Sequence, residues 1–596
     1  MKKVINILQE IIENAFLDCN YEKVYGKVIE SNRPDLCEFQ CDGALAAAKK
    51  YKKAPFIIAE EVIEKCKNND IFEKIEVVKP GFININISKK YLTKYCNEII
   101  DEEKFGCNME ADKTVVIDYG GPNVAKPLHV GHLRPAIIGE SVKRIHKFFC
   151  NNVIGDVHLG DWGLQMGLVI EELKYRHPEW DYFNEDFEGE YPKESLFTVS
   201  DLEEIYPCAS AKTKVSENAS EEEIQKANEF KENARKNTAF LQQKKKGYYD
   251  LWKKIVEISV ADLKENYKKL DVEFDLWLGE SDSQKYVEPM VKQMNELGII
   301  YESDGAKVVD VEEPTDTTTI NPCMVLRRDG VSGYETTDLA TIMQRQKDFN
   351  PNEIIYVVDK RQDLHFIQVF RCAKKAQIVD EDVELIFLGF GTMNGKDGRP
   401  FKTRAGGVMR LEHLIKEVNQ KVYDKINDSK EMNEEEKIKV SEIVGLAALK
   451  YADLSNQISK DYIFDIDKFT SFEGKTGPYI LYTLVRIKSI LNKFYETNSI
   501  KENIIQEPVE DIEKDLLLKI SKYNQILEES YKENAPYRIC VYLYELANIF
   551  NSYYQKVRIL QGDSTRLNSN IVLLELLKRI FENGIELLGF EAPEKM

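Results

Sequence analysis

Two histidines three residues apart, His129 and His132, flank Val130-Gly131 at the end of the run Pro122-Asn123-Val124-Ala125-Lys126-Pro127-Leu128. Imidazoles at that spacing can donate to phosphate oxygens, and the glycine between them lets backbone come close to a ligand. The preceding segment, Thr114 to Tyr119, is β-rich, and Ala136 to Phe149 is compatible with a helix. A strand, a Gly/Pro/Asn turn and a helix are how an open α/β sheet presents N–H groups to a bound phosphate. Two surface histidines on a loop would be the simpler explanation, but the chain has only seven histidines in 596 residues. The pattern therefore predicts a grip for the phosphates of ATP.

Further clusters stand where such a sheet would gather ligands. Gly155 to Gly163 contains Gly160-Asp161-Trp162-Gly163, and Gly279-Glu280-Ser281 follows FDLWL. Gly333-Tyr334-Glu335-Thr336-Thr337-Asp338 follows Arg327-Arg328, and Asp359 to His365 ends the strand-like IIYVV. A basic, glycine-rich segment, Gly398 to Gly407, contains Lys402 and Arg404. If its segment is helical, Tyr334 shares a face with Asp338 four residues on.

The elements that must position these groups divide the chain into three modules. Residues 1–110 begin with helical periodicity and close on alternating apolar residues after Lys79-Pro80-Gly81, a small α/β module. Residues 111–455 carry the parallel α/β signals, with sheet patterns returning at Lys307 to Val311, Glu353 to Val358 and Glu384 to Phe390. Inside them, about 181–250 form an acidic, Lys/Glu-rich insertion in which SENASEEEIQKANEFKENARKN reads as a solvated helix. Residues 456–596 are almost wholly helical in pattern, a bundle.

Composition sets the outer limits. With 31% charged and 43% hydrophobic residues the chain suits a globular protein of several domains, and no apolar run approaches a bilayer span. An amphipathic first helix is expected rather than a secretory signal, because Gln9, Glu10, Glu13 and Asn14 interrupt the apolar residues. Eleven scattered cysteines fit reduced thiols and a cytoplasmic setting, and Cys37-x3-Cys41 lacks a second ligand pair for zinc. The net charge of −20 argues against non-specific DNA binding but not against a partner held on one basic face. No DNA, no membrane and no tightly held metal are expected, and the chain is expected to act as a monomer.

PNVAKPLHVGH, GDWG, YETTDLA, VVDKRQDLHF, PFKTRAGG, KYADLS, FDIDKFTSFEGKTGPY and the closing LLGFEAPEKM occur in that order. In these the sequence resembles the class I aminoacyl-tRNA synthetases and, within them, the arginine-specific family, over essentially the whole chain. The resemblance implies an interrupted Rossmann-like catalytic domain, a small N-terminal α/β domain that helps hold tRNA, and an all-helical C-terminal anticodon-binding domain. It also implies the reaction of an arginine–tRNA ligase. L-arginine is activated by ATP, supplied as MgATP, and then passed to the terminal ribose of tRNA(Arg), with the 2′-hydroxyl as first acceptor.

By the same resemblance His129 and His132 contact the triphosphate, Gly131 leaves room for the adenosine, and Lys402 clamps the leaving phosphates. The second signature departs from the family pattern, with one lysine and Arg404 where two lysines are usual. Lys126, just before the first signature, is then a candidate for the missing charge. Arginine selection needs carboxylates that pair bidentately with a guanidinium. Singly, each acidic residue could be a surface or capping group; the ordered motifs select Asp338 first and Glu280 second. Tyr334 would stack on the substrate side chain, and Asn123, His132 and Gln362 would hold the rest of the amino acid. Packing explains GDWG slightly better than a direct ligand role, and His365 fits equally an ATP contact or a helix cap. For tRNA, Tyr479, Tyr482 and Arg486, and Tyr553, Tyr554, Lys556 and Arg558, bring aromatic and basic side chains together. Tyrosines at helical spacing would equally suit core packing. A shorter nucleotidyltransferase and a non-catalytic RNA-binding relative are the two rival readings; the long helical C-terminal region weighs against the first, and the intact His129, His132 and Lys402 against the second.

Overall fold

Five apolar segments lie side by side in one parallel sheet: β1 (Thr114–Asp118), β2 (Asn152–Leu159), β3 (Leu276–Gly279), β4 (Glu353–Asp359) and β5 (Glu384–Phe390). Their order is β5-β4-β1-β2-β3. Strands buried on both faces need continuous rather than alternating apolar runs, which VVID and EIIYVV supply. The structure is a computed structural model that describes residues 1–150, 152–216, 219–328, 330, 332–399, 409–427 and 432–596. It resolves into two compact units, one of residues 110–471 with 587–590, the other of residues 1–109 with 472–586 and 591–596.

In the first unit the helices that matter for the site are α1 (Leu133–Phe149), α2 (Leu164–Arg176), α3 (Val199–Lys212), α4 (Glu221–Gln242), α5 (Lys246–Lys269), α6 (Glu280–Glu296), α7 (Tyr334–Phe349), α8 (Asp363–Lys375), α9 (Leu411–Ile426) and α10 (Glu434–Leu454). Strand order reverses between β1 and β4, and a doubly wound sheet opens its ligand crevice at that point, beyond the carboxyl ends of its strands. PNVAKPLHVGH, GDWG, Gly279-Glu280-Ser281 and VVDKRQDLHF stand at the carboxyl ends of β1, β2, β3 and β4, whereas YETTDLA and KYADLS lie in helices α7 and α10. Helix α1 starts three residues earlier than the pattern predicts, with Pro135 in its first turn, where no helical N–H is lost.

Two expectations change. The sheet signal at Lys307 to Val311 does not resume the parallel sheet. Ala306–Val309 instead pairs antiparallel with Ile300–Ser303 and Cys323–Leu326 in a separate three-stranded sheet. Asp304 and Gly305, both at positive φ, make the tight turn that an antiparallel hairpin requires. The acidic insertion does form a helix, α4, with a capping box between Ser220 and Glu223, but it is solvated along only part of its surface. Ala234, Asn237, Thr238 and Leu241 are buried, and a Cβ on Gly167 of α2 would lie 2.1 Å from the Ala234 carbonyl oxygen. The missing side chain at Gly167 is what lets the two helices approach.

Arg134, two residues beyond His132, is buried and locks α1 to the end of the unit. Its Nε donates to Asp453 Oδ2 at 3.0 Å, and Nη1 and Nη2 donate to the carbonyls of Lys460 and Ile458. The Tyr462 hydroxyl donates to the same Asp453 carboxylate. Removing one member of a buried pair strands the other, so Asp453→Ala is expected to lower stability by about 3–5 kcal/mol. All four tryptophans lie in this unit, so urea unfolding followed by their fluorescence reads it directly. A loss below about 1 kcal/mol, the level of a surface pair, would contradict the prediction.

The second unit joins the two ends of the chain. A four-stranded antiparallel sheet, ordered Ile29–Glu30, Phe39–Cys41, Phe82–Ile87, Phe72–Val78, carries the first helix, Val4–Asp18, whose Leu8, Ile12 and Phe16 are buried as the amphipathic pattern predicts. Helices Gly477–Tyr495, Asp511–Ile520, Tyr523–Lys532 and Pro536–Lys556 follow from the C-terminal region. Asn97 exchanges hydrogen bonds with the Ile505 backbone, and Asn524 donates to Tyr95 Oη at 2.9 Å. Among the described residues no helix is long and apolar enough to cross a membrane.

Candidate active site

The turn after β1 is held from several sides. Val124 N donates to Gly160 O and Gly160 N to Pro122 O, so the turn and the start of GDWG form one bridge at Asn123. Ala125, at φ 59°, donates its N–H to Ser259 Oγ, and Gln165 Nε2 donates to the Val124 carbonyl. Downstream, Val130 N donates to Met409 O and Leu411 N to Leu128 O.

The histidines are locked by their own backbone. Gly131 N donates to His129 Nδ1 at 3.0 Å, and His129 N donates to His132 Nδ1 at 3.1 Å, with the rings 3.9 Å apart. With Nδ1 an acceptor in both rings, each neutral imidazole carries its proton on Nε2. Burial and the Lys126 charge lower the pKa of His129; burial with the His129 field lowers that of His132 to about 3. The pair is therefore a set of neutral N–H donors rather than two cations. A Cβ at Gly131 would lie 2.7 Å from His129 Cε1, so the glycine makes room for the imidazole.

Across the crevice the acidic groups gather. Glu280 opens α6, and Asp338 lies on α7 four residues after Tyr334, as the spacing predicts. A cavity of about 780 Å³ is lined by Trp162, Glu280, Arg327 and Tyr334, with Arg235 and Gln242 contributed by the insertion helix α4. Burial first, then the charges of Asp161 and Asp338, push Glu280 up to about 8. Asp338 accepts a 2.6 Å hydrogen bond from His365 Nε2 on α8. Burial pulls the His365 pKa down, but the bond to Asp338 and the fields of Asp338 and Glu335 outweigh it and raise the value. His365 thus does not cap the helix; it is tied to the leading specificity candidate.

A cationic ligand must find Glu280 ionised, and below about pH 8 its proton has to leave first. Loss of the His365 proton favours a cation in the same direction. The KM for a guanidinium substrate is therefore expected to fall as pH rises from 6 to 8, by up to roughly tenfold per unit. Glu280→Gln is expected to flatten that slope, leaving the share of His365. Equal slopes in both proteins would show that Glu280 is already ionised.

GDWG combines packing with a place at the cavity, which Trp162 and Gly163 line. Asp161 is buried and accepts from Ser281 N and Oγ, and its carbonyl receives Trp252 Nε1. Trp162 bonds to Gln284. Asn123 and Gln362 are exposed, Gln362 ending the short turn after β4. Lys126 lies over the Tyr206 ring of α3 at 4.0 Å. Lys402 and Arg404 lie outside the described residues. Asp118, Asp156 and His158 form the one group among the described residues that could surround a metal, but Arg345 Nη2 donates to both carboxylates at 2.6 Å. That guanidinium already supplies the positive charge and ties α7 to β1 and β2.

The helical region corrects one expectation. Tyr553 is wholly buried and cannot stack on a base; one position on, the helix turns Tyr554 outward. Arg486 donates to Asn551 and Tyr482 and lies between the Tyr482 and Tyr554 rings, while half-buried Tyr479 bonds Asn548. Arg558 is exposed.

A parallel sheet in this order, with a His-x-Gly-His turn at its reversal point, defines a nucleotide-binding domain of the doubly wound α/β class. Residues 95–466 match the family described as tRNA synthetases class I (R), catalytic domain. Residues 2–87 match the arginyl tRNA synthetase N terminal domain, and residues 480–596 the DALR anticodon binding domain. The chain is 54% identical to an arginine–tRNA ligase of Agathobacter rectalis and 53% identical to one of Alkaliphilus oremlandii, each match covering 100% of both chains. The crystal structure of an arginyl-tRNA synthetase from Plasmodium falciparum has the same fold, with a TM-score of 0.81 at 25% identity and 100% of both chains covered. The chain belongs to the class I arginyl-tRNA synthetase family.

Proposed function

We propose that this chain ligates arginine to tRNA in two steps at the carboxyl ends of β1 to β5. In the first, an oxygen of the arginine carboxylate attacks the α-phosphorus of ATP. The bond to the bridging oxygen breaks, and pyrophosphate leaves with the electron pair. In the second, the terminal ribose 2′-hydroxyl of tRNA attacks the arginyl carbonyl and AMP leaves. Such transfer needs alignment and charge stabilisation more than covalent help. ATP enters as its magnesium complex. His129 and His132 donate through Nε2–H to the phosphates, Lys126 adds positive charge, and Lys402 and Arg404 supply the second half of the grip. Glu280 and Asp338 take the guanidinium, Tyr334 covers its stem, and Asn123 and Gln362 hold the α-amino and carboxylate end. The bundle that includes Tyr479, Arg486 and Arg558 meets the anticodon arm, and the enzyme works as a cytoplasmic monomer.

The observation that carries this reading is the pair of carboxylates Glu280, which opens α6 and lines the cavity, and Asp338 on α7, in the same unit as the paired imidazoles. Pyrophosphate exchange measured with each amino acid, with and without tRNA, tests it. Exchange is expected with arginine alone among the amino acids; exchange without any amino acid would overturn the assignment.

A further inference from the structure

Tyr206 belongs to the insertion, far in sequence from either signature, yet its ring carries the Lys126 ammonium at 4.0 Å from the centroid. Among the described residues no carboxylate forms an ion pair with Lys126, whereas a carboxylate would cancel its charge. The face of an aromatic ring attracts a cation through its quadrupole and leaves the net charge intact. The lysine backbone is also fixed, because Ala125 is held at φ 59° and Pro127 confines the residue before it to extended conformations. Lys126 is near enough to both imidazoles to lower their pKa values.

The helix that brings Tyr206 is itself held against the signature. Leu202 and Ile205 of α3 share a buried cluster with Val124, Ala125 and Trp162, and Tyr206 packs on that cluster. Three residues before Tyr206, Glu203 pairs with Arg410 at 2.8 Å. Arg410 in turn faces His129 in an antiparallel bridge. One helix of the insertion thus meets the phosphate grip at two points, a ring under Lys126 and a carboxylate on Arg410, the residue bridged to His129.

We propose that Tyr206 is a positioning residue for arginine activation, holding Lys126 as an un-neutralised cation beside His129 and His132. The proposal rests on Lys126 acting on the phosphates. The insertion is then part of the catalytic apparatus rather than a solvated appendage.

Pyrophosphate exchange with arginine, MgATP and tRNA, measured on the full chain, tests it. Tyr206→Leu is expected to lower kcat by about 3- to 30-fold, the rate equivalent of one cation–π contact, with the KM for arginine little moved. Tyr206→Phe, which keeps the ring, is expected to recover most of that loss. Lys126→Met should lose at least as much as Tyr206→Leu, and the double variant no more than Lys126→Met, because the ring acts only through the lysine. Should the leucine variant fold poorly, phenylalanines of increasing ring fluorination at position 206 weaken the quadrupole at nearly constant shape, and log kcat should fall steadily along the series. Full activity of Tyr206→Leu beside an impaired Lys126→Met would overturn the positioning role. Multiplicative losses in the double variant, or a flat fluorination series, would do the same. An unimpaired Lys126→Met would instead remove the reading of Lys126 on which the proposal rests.

Discussion

Asp338→Ala raises the arginine concentration needed for half-maximal activation by about two to three orders of magnitude and leaves the ATP requirement nearly unchanged. The size follows from truncating one partner of a desolvated charged pair, which costs about 2–5 kcal/mol, with 1.4 kcal/mol equal to a factor of ten. The separation follows from place: Asp338 lies on α7 beside Glu280 and His365, while the imidazoles belong to the turn after β1. His365 offsets only a small part of the loss: without Asp338 its pKa falls, and a neutral imidazole repels the guanidinium less than an imidazolium does. Steady-state exchange with arginine and ATP varied in turn reads the two requirements. Equal rises in both would place the guanidinium elsewhere.

His132→Ala is expected to lower kcat for exchange by about 10²–10³, the loss seen when one preorganised donor to developing charge is removed. The same holds for His129→Ala. The hydrogen bonds on Nδ1 give the prediction its sharper form. A glutamine amide nitrogen can stand near the position of Nε2, whereas that of asparagine stands near Nδ1. Glutamine at either position should therefore recover part of the rate and asparagine almost none. Because both rings are held neutral, wild-type kcat at saturating arginine should show no acid limb of histidine origin between pH 6 and 8. A tenfold fall in kcat on acidification across that range, absent from the alanine variants, would show that a protonated imidazole takes part.

Much of the candidate site is legible in the chain because the candidate groups sit in short motifs whose spacing is local. His129 and His132 come together across a single turn, and Tyr334 and Asp338 across one turn of α7. The parallel strands are legible for a related reason: a strand buried on both faces must be continuously apolar. Reading fails where local pattern is shared by different environments. Tyr553 and Tyr554 are the same residue type in one helix, and only the phase against the bundle separates a core ring from an exposed one. Lys307 to Val311 looks like any strand, because apolar alternation does not say which sheet will take it.

The sequence by itself determined the paired imidazoles, the one-turn spacing of Tyr334 and Asp338, most strands of the parallel sheet and the helical C-terminal region. These depend on interactions between neighbours in the chain, and on residue types that few other chemistries need. Tertiary structure alone decided the partnerships between distant residues: His365 with Asp338, Arg134 with Asp453, Tyr206 under Lys126, and the union of the two chain ends in one unit. Such pairs leave no periodicity behind. Each exists because burial makes an unpartnered polar group costly, and which partner meets that cost is settled only when the elements pack.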